Sequence, residues 1–377
     1  MQKKKQPKIK LVVSDFHIGR GRFFKDGSRN ILEDFHYDDA FISFLNYYSS
    51  GDFADSEVEL VINGDFFNLL QINYKGVHTY LMTERIVLEG LRQIVAGHRD
   101  LFAALKNFAA TPEHSVVYVV GNHDQGMLFE KPRKFLREVL AHDIQFFDSH
   151  YEFDGIRIEH GHMHEWPTRF DPNRYFISRG LPEPVLNLPW GSLFVAELLP
   201  KIKMERPYVD KVKPFSTMLR WMLLNDTLFA LKSAFLCAMF FFDSLIFKRR
   251  YRYSGLQATF NILREVTIYP LFHREARKVL EANPDINVVI MGHTHVLEHR
   301  QYREGKEYFN IGTWNEATSL QVGSLGTVVC LTFALIEYPE LPPDVDAATT
   351  HDKTALKPKV KLKEWKGVWR PVLDAAI

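Results

Sequence analysis

Cysteine is scarce: Cys237 and Cys330 are the two thiols in 377 residues. Two thiols so spaced build neither a disulfide framework nor a thiolate metal site, and their scarcity favours a reducing compartment. An excess of one charge is also missing. Lys and Arg number 47 against 46 Asp and Glu, for a net charge of +1. No global field therefore recruits nucleic acid, and no nucleic-acid partner is expected. No repeat of fixed period runs along the chain. No apolar signal-peptide region follows the basic start MQKKKQPKIK. Lys3, Lys4, Lys5, Lys8 and Lys10 read as a solvated tail, with contact to anionic lipid as the alternative. A cytoplasmic protein is expected, either free or peripheral on the inner face of a membrane.

What is present is ordinary for a globular chain: 46% hydrophobic and 25% charged residues. A chain this long buries a substantial core without staples. Short apolar, β-branched runs recur at 9–15, 58–65, 115–124, 156–162, 287–295 and 327–333. The first three and the fifth are continuous rather than alternating, as expected of strands covered on both faces. Residues 37–50 and 81–110 carry apolar side chains at three- and four-residue spacing, which predicts helices. Strands alternating with helices give an α/β core, expected over 1–165 and 281–338. Residues 166–280 are Pro-punctuated, then very apolar from 215 to 247, and read as a mostly helical insertion or cap. Residues 339–377 have the composition of a loop or loosely docked tail.

Five of the strand-like runs end in a short polar signature. These are Asp15 and His17 in DFH, Asp65 in NGD, and Asn122, His123 and Asp124 in GNHD. The others are His160 and His162 in HGH, and His293 and His295 in GHTH. Ligands of open α/β sheets gather beyond the carboxyl ends of strands, so these endings are expected to converge. Carboxylate, imidazole and amide oxygen together suit Mn, Fe or Zn better than Ca, which prefers oxygen alone. If the backbone is extended, both outer residues of Asp-x-His and His-x-His face one cluster. Gly64, Gly121, Gly161 and Gly292 let the chain turn tightly beneath it. Each signature alone is weak; five of them, each after a strand, are hard to obtain by chance.

In this motif order the chain resembles the calcineurin-like metallophosphoesterase superfamily, over roughly 9–165 and 285–335. The resemblance implies a four-layer fold, two β-sheets face to face with helices outside, and a site for two divalent metal ions. Asp15, His17 and His295 would hold one ion, and Asn122, His160 and His293 the other, with Asp65 bridging. Manganese is the expected metal, with iron or zinc as alternatives. His123 would protonate the leaving oxygen and Asp124 would orient His123. Water activated between the metals would attack phosphorus in line. His162 would lie behind the ligands or face the substrate. Arg169 and Arg174 could clamp a substrate phosphate, with surface ion pairing as the bland alternative. His164 and Trp166 are expected to pack their loop, with lining the pocket as the alternative; Trp314 or Asn315 bordering the site is the less favoured reading of NIGTWNEA.

In layout the chain is most similar to the UDP-2,3-diacylglucosamine hydrolase branch, whose inserted helical cap holds acyl chains. It departs from that branch in carrying His123 where Arg is usual and His162 where Asp is usual, and its insertion is longer. The longest apolar run, 227–247, is followed by Lys248, Arg249, Arg250 and Arg252. Asn225, Lys232, Asp243 and Arg250 fall on one narrow helical stripe. Three readings of this run stay open: a buried core helix, an interfacial lid touching lipid through residues 215–252, and a membrane span. Three functions follow. The first is a phosphodiester or pyrophosphate hydrolase acting on a phosphorylated, lipid-linked or amphiphilic substrate. The second is a hydrolase of soluble nucleotides or phosphoproteins. The third is a non-catalytic interaction module, which the full set of ligands disfavours.

Overall fold

The computed structural model describes residues 8–24, 26–74, 77–207, 209, 211–213, 215–246, 261, 271–319, 326–339 and 357–367. Strands Lys8–Val13, Glu57–Asn63, His114–Val119 and Gln145–Phe147 lie side by side, parallel and in chain order. Thr332–Glu337 adds antiparallel to the first of them, and Lys359–Glu364 closes that edge. A second sheet has the order Leu297–Gln301, Glu307–Ile311, Val288–Met291, Ile156–Glu159 and His150–Phe153. Its three central strands are parallel and its two edges antiparallel.

The residue period of two explains how the layers stack. Val12, Val61 and Val117 point from the first sheet onto Ile158, Ile290, Phe309 and Ile311 of the second. Their neighbours Leu11, Val13, Leu60 and Tyr118 point the other way, onto helices. Helix Glu84–Gly97 illustrates that layer. Thr83 caps it by accepting a hydrogen bond from Ile86 N, and Val87, Leu91 and Ile94 form its buried stripe. On the far side, Phe272, Ala276 and Leu280 of helix Phe272–Ala282 cover Val289, Met291 and Tyr308. The result is four layers, helix on sheet on sheet on helix. Strands buried on both faces explain the continuous apolar runs. The helix Phe272–Ala282 belongs to these layers, so the core includes residues before 281.

Two segments differ from the sequence expectation. The run 327–333 is broken at Cys330, with Gly326–Val329 in a small separate sheet and Thr332–Glu337 in the large one. The segment 339–377, expected as a loosely docked tail, supplies the edge strand Lys359–Glu364. Val360 and Leu362 pack inward, and Trp365 packs against Phe44 at 5.4 Å between ring centroids. The alternating lysines at 359, 361 and 363 mask that alternation in the composition, and they guard an exposed edge.

In the insertion, a π-helical turn, Phe194–Leu198, joins helices Trp190–Leu193 and Leu199–Glu205. Helices Phe215–Asn225 and Thr227–Ile246 follow. Thr227–Ile246 buries Phe229, Ala230 and Phe240 and exposes Leu228, Leu231, Phe235, Met239 and Phe242. One apolar face is therefore seated on protein and the other is open. Among the described residues no helix is long and apolar enough to cross a membrane. Lys232 on the polar stripe pairs with Glu205. Lys248, Arg249, Arg250 and Arg252 lie outside the described residues.

Candidate metal centre

Asp15, Asp65, Asn122, His160, His293 and His295 all stand just past the carboxyl ends of parallel strands, and the sheets bring those ends together. The backbone does this differently from the extended geometry expected of Asp-x-His and His-x-His. Asp15, His17, Asp65, His293 and His295 all have φ between 50° and 69°, the left-handed region. Non-glycine residues are held there only where the surroundings over-determine them, and such residues cluster at functional sites. The turns press against one another. A Cβ at Gly121 would overlap the Asp65 carboxylate, and one at Gly292 would overlap Ser14 and Asp15.

Three overlapping groups arise: Asp15, His17 and His295; His17, Asp65 and His123; Asp65, His160 and His293. Within each group the ligand atoms lie within 4.8 Å of one another. His17 Nε2 and His295 Nε2 are 3.0 Å apart, and His295 Nε2 is 3.3 Å from Asp15 Oδ1. His160 Nε2 is 3.1 Å from Asp65 Oδ2, and His17 Nε2 is 3.8 Å from the same oxygen. Asp65 thus stands between the two sets. Asn122 Oδ1, Asp15 Oδ1 and His160 Nε2 are buried without a hydrogen-bond partner. Orphaned buried polar atoms demand an explanation, and a mixed set of carboxylate, imidazole and amide oxygens converging on one place fits divalent cations.

The surrounding bonds orient the ligands. His160 Nδ1 donates to Asn63 O at 2.9 Å, which turns Nε2 towards Asp65. Asp15 Oδ2 accepts from His293 N at 2.9 Å, and Asp65 Oδ1 accepts from His123 N at 2.8 Å. Burial alone would raise the Asp15 carboxyl, but the imidazoles of His160, His17 and His295 hold it well below the usual carboxylate range. Asp65 is depressed likewise, chiefly by His160 and His123 against the cost of burial.

A cavity of about 280 Å³ opens on this cluster. His17, Asp65, Asn122, His123, His293 and His295 line one side. Phe194, Val195 and Leu199 of the insertion line another, and Asp34, Lys211, Asn315 and Glu316 add a polar flank. The π-helical turn that carries Phe194 and Val195 is an irregularity frequent at functional sites.

Not every expected role matches the geometry. His123 lines the cavity, and its Nδ1 lies 3.2 Å from Asn68 Oδ1. Burial, reinforced by His17, His295 and His293, pulls its pKa down to about 3 against the pull of Asp65. Asp124 does not orient it. The Asp124 carboxylate accepts from Gly121 N at 2.6 Å, Phe66 N at 3.0 Å and Tyr118 OH at 2.5 Å. Those three bonds use the carboxylate to brace the turn, so the orienting partner of His123 is Asn68. Burial and the nearby Asp65 push Asp124 up to about 7.

His162 is buried, packs 4.3 Å from Phe170, and does not line the cavity. Arg169 is exposed, donates to Met163 O at 3.0 Å, and stacks over Trp166. Neither Arg169 nor Arg174 lines the cavity. His164 is bonded to Glu159 at 2.6 Å. Trp314 is fully buried and stacks on Phe16, whereas Asn315 borders the cavity and donates to Phe16 O at 2.7 Å.

Sequence reasoning missed Glu165 and Asn68. Glu165 lines the cavity and its Oε2 is 2.9 Å from His293 Nε2. Asn68 lies three residues after Asp65, and Glu165 five after His160; those offsets are the only trace of either in the sequence.

No protein-family model matches the chain, and no curated protein matches it. Solved structures similar to it include Vacuolar Protein Sorting 29 from Cryptosporidium parvum. That protein is 12% identical, with 96% of this chain and 98% of that chain covered, at a TM-score of 0.31. Vps29 complexed with Zn²⁺ from Entamoeba histolytica is 11% identical, with 95% and 99% covered, at 0.29. A dimetal phosphatase from Danio rerio is 10% identical, with 88% and 96% covered, at 0.35. Likenesses this distant carry no argument about what this chain does.

Proposed function

We propose that the chain is a metal-dependent phosphoester hydrolase of the calcineurin-like metallophosphoesterase type. One observation supports this above the others: Asp65 stands between two ligand sets that include the orphaned buried atoms of Asp15 and His160, and Asn122, whose Oδ1 is orphaned too, lines the same cavity. Asp15, His17, Asp65 and His295 would hold one divalent ion, and Asp65, Asn122, His160 and His293 the other. Manganese suits the set, as do iron and zinc. When bound, such a pair clamps a phosphoryl group and activates water. His123 meets the leaving oxygen from the cavity wall, positioned through Asn68. The left-handed turns fix the ligands before substrate arrives, so little reorganisation accompanies reaction.

The substrate read from this site is amphiphilic, a phosphodiester or pyrophosphate carrying an apolar group. Phe194, Val195 and Leu199 give the cavity that holds the ligands an apolar part. Phe194 also packs on Phe240 at 6.0 Å between ring centroids, which joins this part to helix Thr227–Ile246. The open stripe of that helix, Leu228, Leu231, Phe235, Met239 and Phe242, is suited to peripheral contact with a bilayer. The polar flank of Asp34, Lys211 and Glu316 favours the second reading, a soluble nucleotide or phosphoprotein.

Turnover of bis-p-nitrophenyl phosphate, measured with added Mn²⁺ and with chelator, tests the hydrolase reading; no metal-dependent turnover would refute it. Flotation with anionic vesicles separates the substrates. Recovery of the chain only in the soluble fraction, unchanged by Phe235→Glu, would remove the lipid-facing reading and leave the soluble one.

A further inference from the structure

A second cavity, of about 360 Å³, lies against the metal cavity, and Asn68 and Gln71 line both. Its walls are chemically unlike those of the first. Arg20 and Arg29 line it, and no carboxylate does. Arg20 stacks 4.6 Å over Phe24. Among the described residues neither arginine forms an ion pair. The buried carboxylate of Glu33 is engaged elsewhere: it accepts from Gly19 N at 2.9 Å and Gly21 N at 2.6 Å and lies 3.6 Å from His98. Two further groups in the cavity are unsatisfied. Gln71, 6% exposed, has Oε1 buried without a partner, and so has His78 its Nδ1. Burial and the Arg20 charge push the His78 imidazole below its usual range.

Guanidinium groups without carboxylate partners, set in a concave wall, are matched to planar or tetrahedral oxyanions. The wall shared with the metal cavity places that anion beside the phosphoryl group. We infer that this cavity is a subsite for a second anionic group, phosphate or carboxylate, of the same substrate molecule. The inference rests on the phosphoester hydrolase reading above and narrows its substrate. One phosphoryl group lies at the metal centre, and a second anion crosses the Asn68 and Gln71 sill to Arg20 and Arg29. Gln71 Oε1 accepts a hydroxyl from the part that joins them. Compounds that carry two phosphates, or a phosphate and a carboxylate, on a hydroxyl-bearing linker have this form; a simple monoanionic phosphodiester does not.

Titration calorimetry on the manganese-loaded chain tests this with alkane α,ω-bisphosphonates of increasing length, each compared with the alkyl monophosphonate of equal length. At one length the bisphosphonate is expected to bind about tenfold more tightly or better, as two charge-assisted bonds allow. In Arg20→Ala/Arg29→Ala that ratio is expected to fall to near one. Should this variant lose its fold by circular dichroism, Arg20→Gln/Arg29→Gln removes the charge at similar side-chain length and is read in the same way. A ratio near one at every length in the wild type, or a ratio that survives in the variant, overturns the inference. So does a monophosphonate binding twice per chain with no gain from linkage, which would mark a site for a separate anion. The readout is binding, so it is independent of turnover. Absent metal-dependent turnover of bis-p-nitrophenyl phosphate would strike the hydrolase reading instead.

Discussion

Glu165 Oε2 lies 2.9 Å from His293 Nε2, and its other oxygen is buried without a hydrogen-bond partner. The carboxylate therefore takes up one ring nitrogen of a candidate ligand and leaves Nδ1 to face other atoms. Carboxylate–imidazole–metal chains of this kind fix the tautomer and raise the basicity of the ligand.

Glu165 thus acts as a positioning residue, and two variants separate that role from direct ligation. Glu165→Ala is expected to weaken binding of the second metal about 10- to 100-fold. Glu165→Gln retains a carbonyl oxygen that accepts the His293 N–H, so it is expected to recover most of the loss. Metal content after dialysis, by mass spectrometry, reads both. An equal loss in the two variants would make Glu165 a ligand itself.

His123→Ala is expected to lower kcat by about 10²- to 10⁴-fold, the range for a positioned proton-transfer group. Its metal content should stay at the wild-type level. Asn68→Ala, which removes the group 3.2 Å from His123 Nδ1, should lower kcat in the same direction and by less. A His123→Ala rate equal to wild type would remove this residue from the reaction.

Asp124→Asn is expected to act on stability rather than on the proton step. The carboxylate satisfies Gly121 N, Phe66 N and Tyr118 OH, and the amide cannot accept all three as a carboxylate does. Denaturant melts should show a loss of about 1–3 kcal/mol. A variant as stable as wild type but slower in turnover would restore the orienting role expected from the sequence.

A pH effect on stability is expected from His98, which is remote from the candidate ligands. Burial pushes it down, but Asp38 at 2.5 Å and Glu33 at 3.6 Å overcome this and hold it at about 9. A pKa raised above its unfolded value of 6.5 stabilises the fold fully below 6.5, and that stabilisation is lost as pH rises through about 9. The contribution is on the order of 3 kcal/mol. Melts of wild type and His98→Gln from pH 6 to pH 10 should converge at the alkaline end. Parallel curves would contradict the assignment.

The parts legible in the sequence were those with a short-range signature. Continuous apolar runs announce strands covered on both faces, and the polar endings after Val13, Asn63, Val119, Glu159 and Met291 announce the site. What stayed hidden depends on contacts across the fold. The Asp15 and His17 pair meets its partners through left-handed backbone, which alternation along an extended strand does not anticipate. Glu165 and Asn68 matter because of where His293 and His123 come to rest, and no local pattern reports that. The strand Lys359–Glu364 was obscured because its outward face is Lys359, Lys361 and Lys363, and the composition therefore reads as a polar tail.

The central claim is that Asp65 bridges two cations. Anomalous diffraction from crystals soaked in Mn²⁺ measures this most directly. The expected result is two peaks, about 3.5–4 Å apart, one among Asp15, His17 and His295 and the other among Asn122, His160 and His293, with Asp65 between them. No peak at these residues, or a single peak that Asp65 does not touch, would contradict the account.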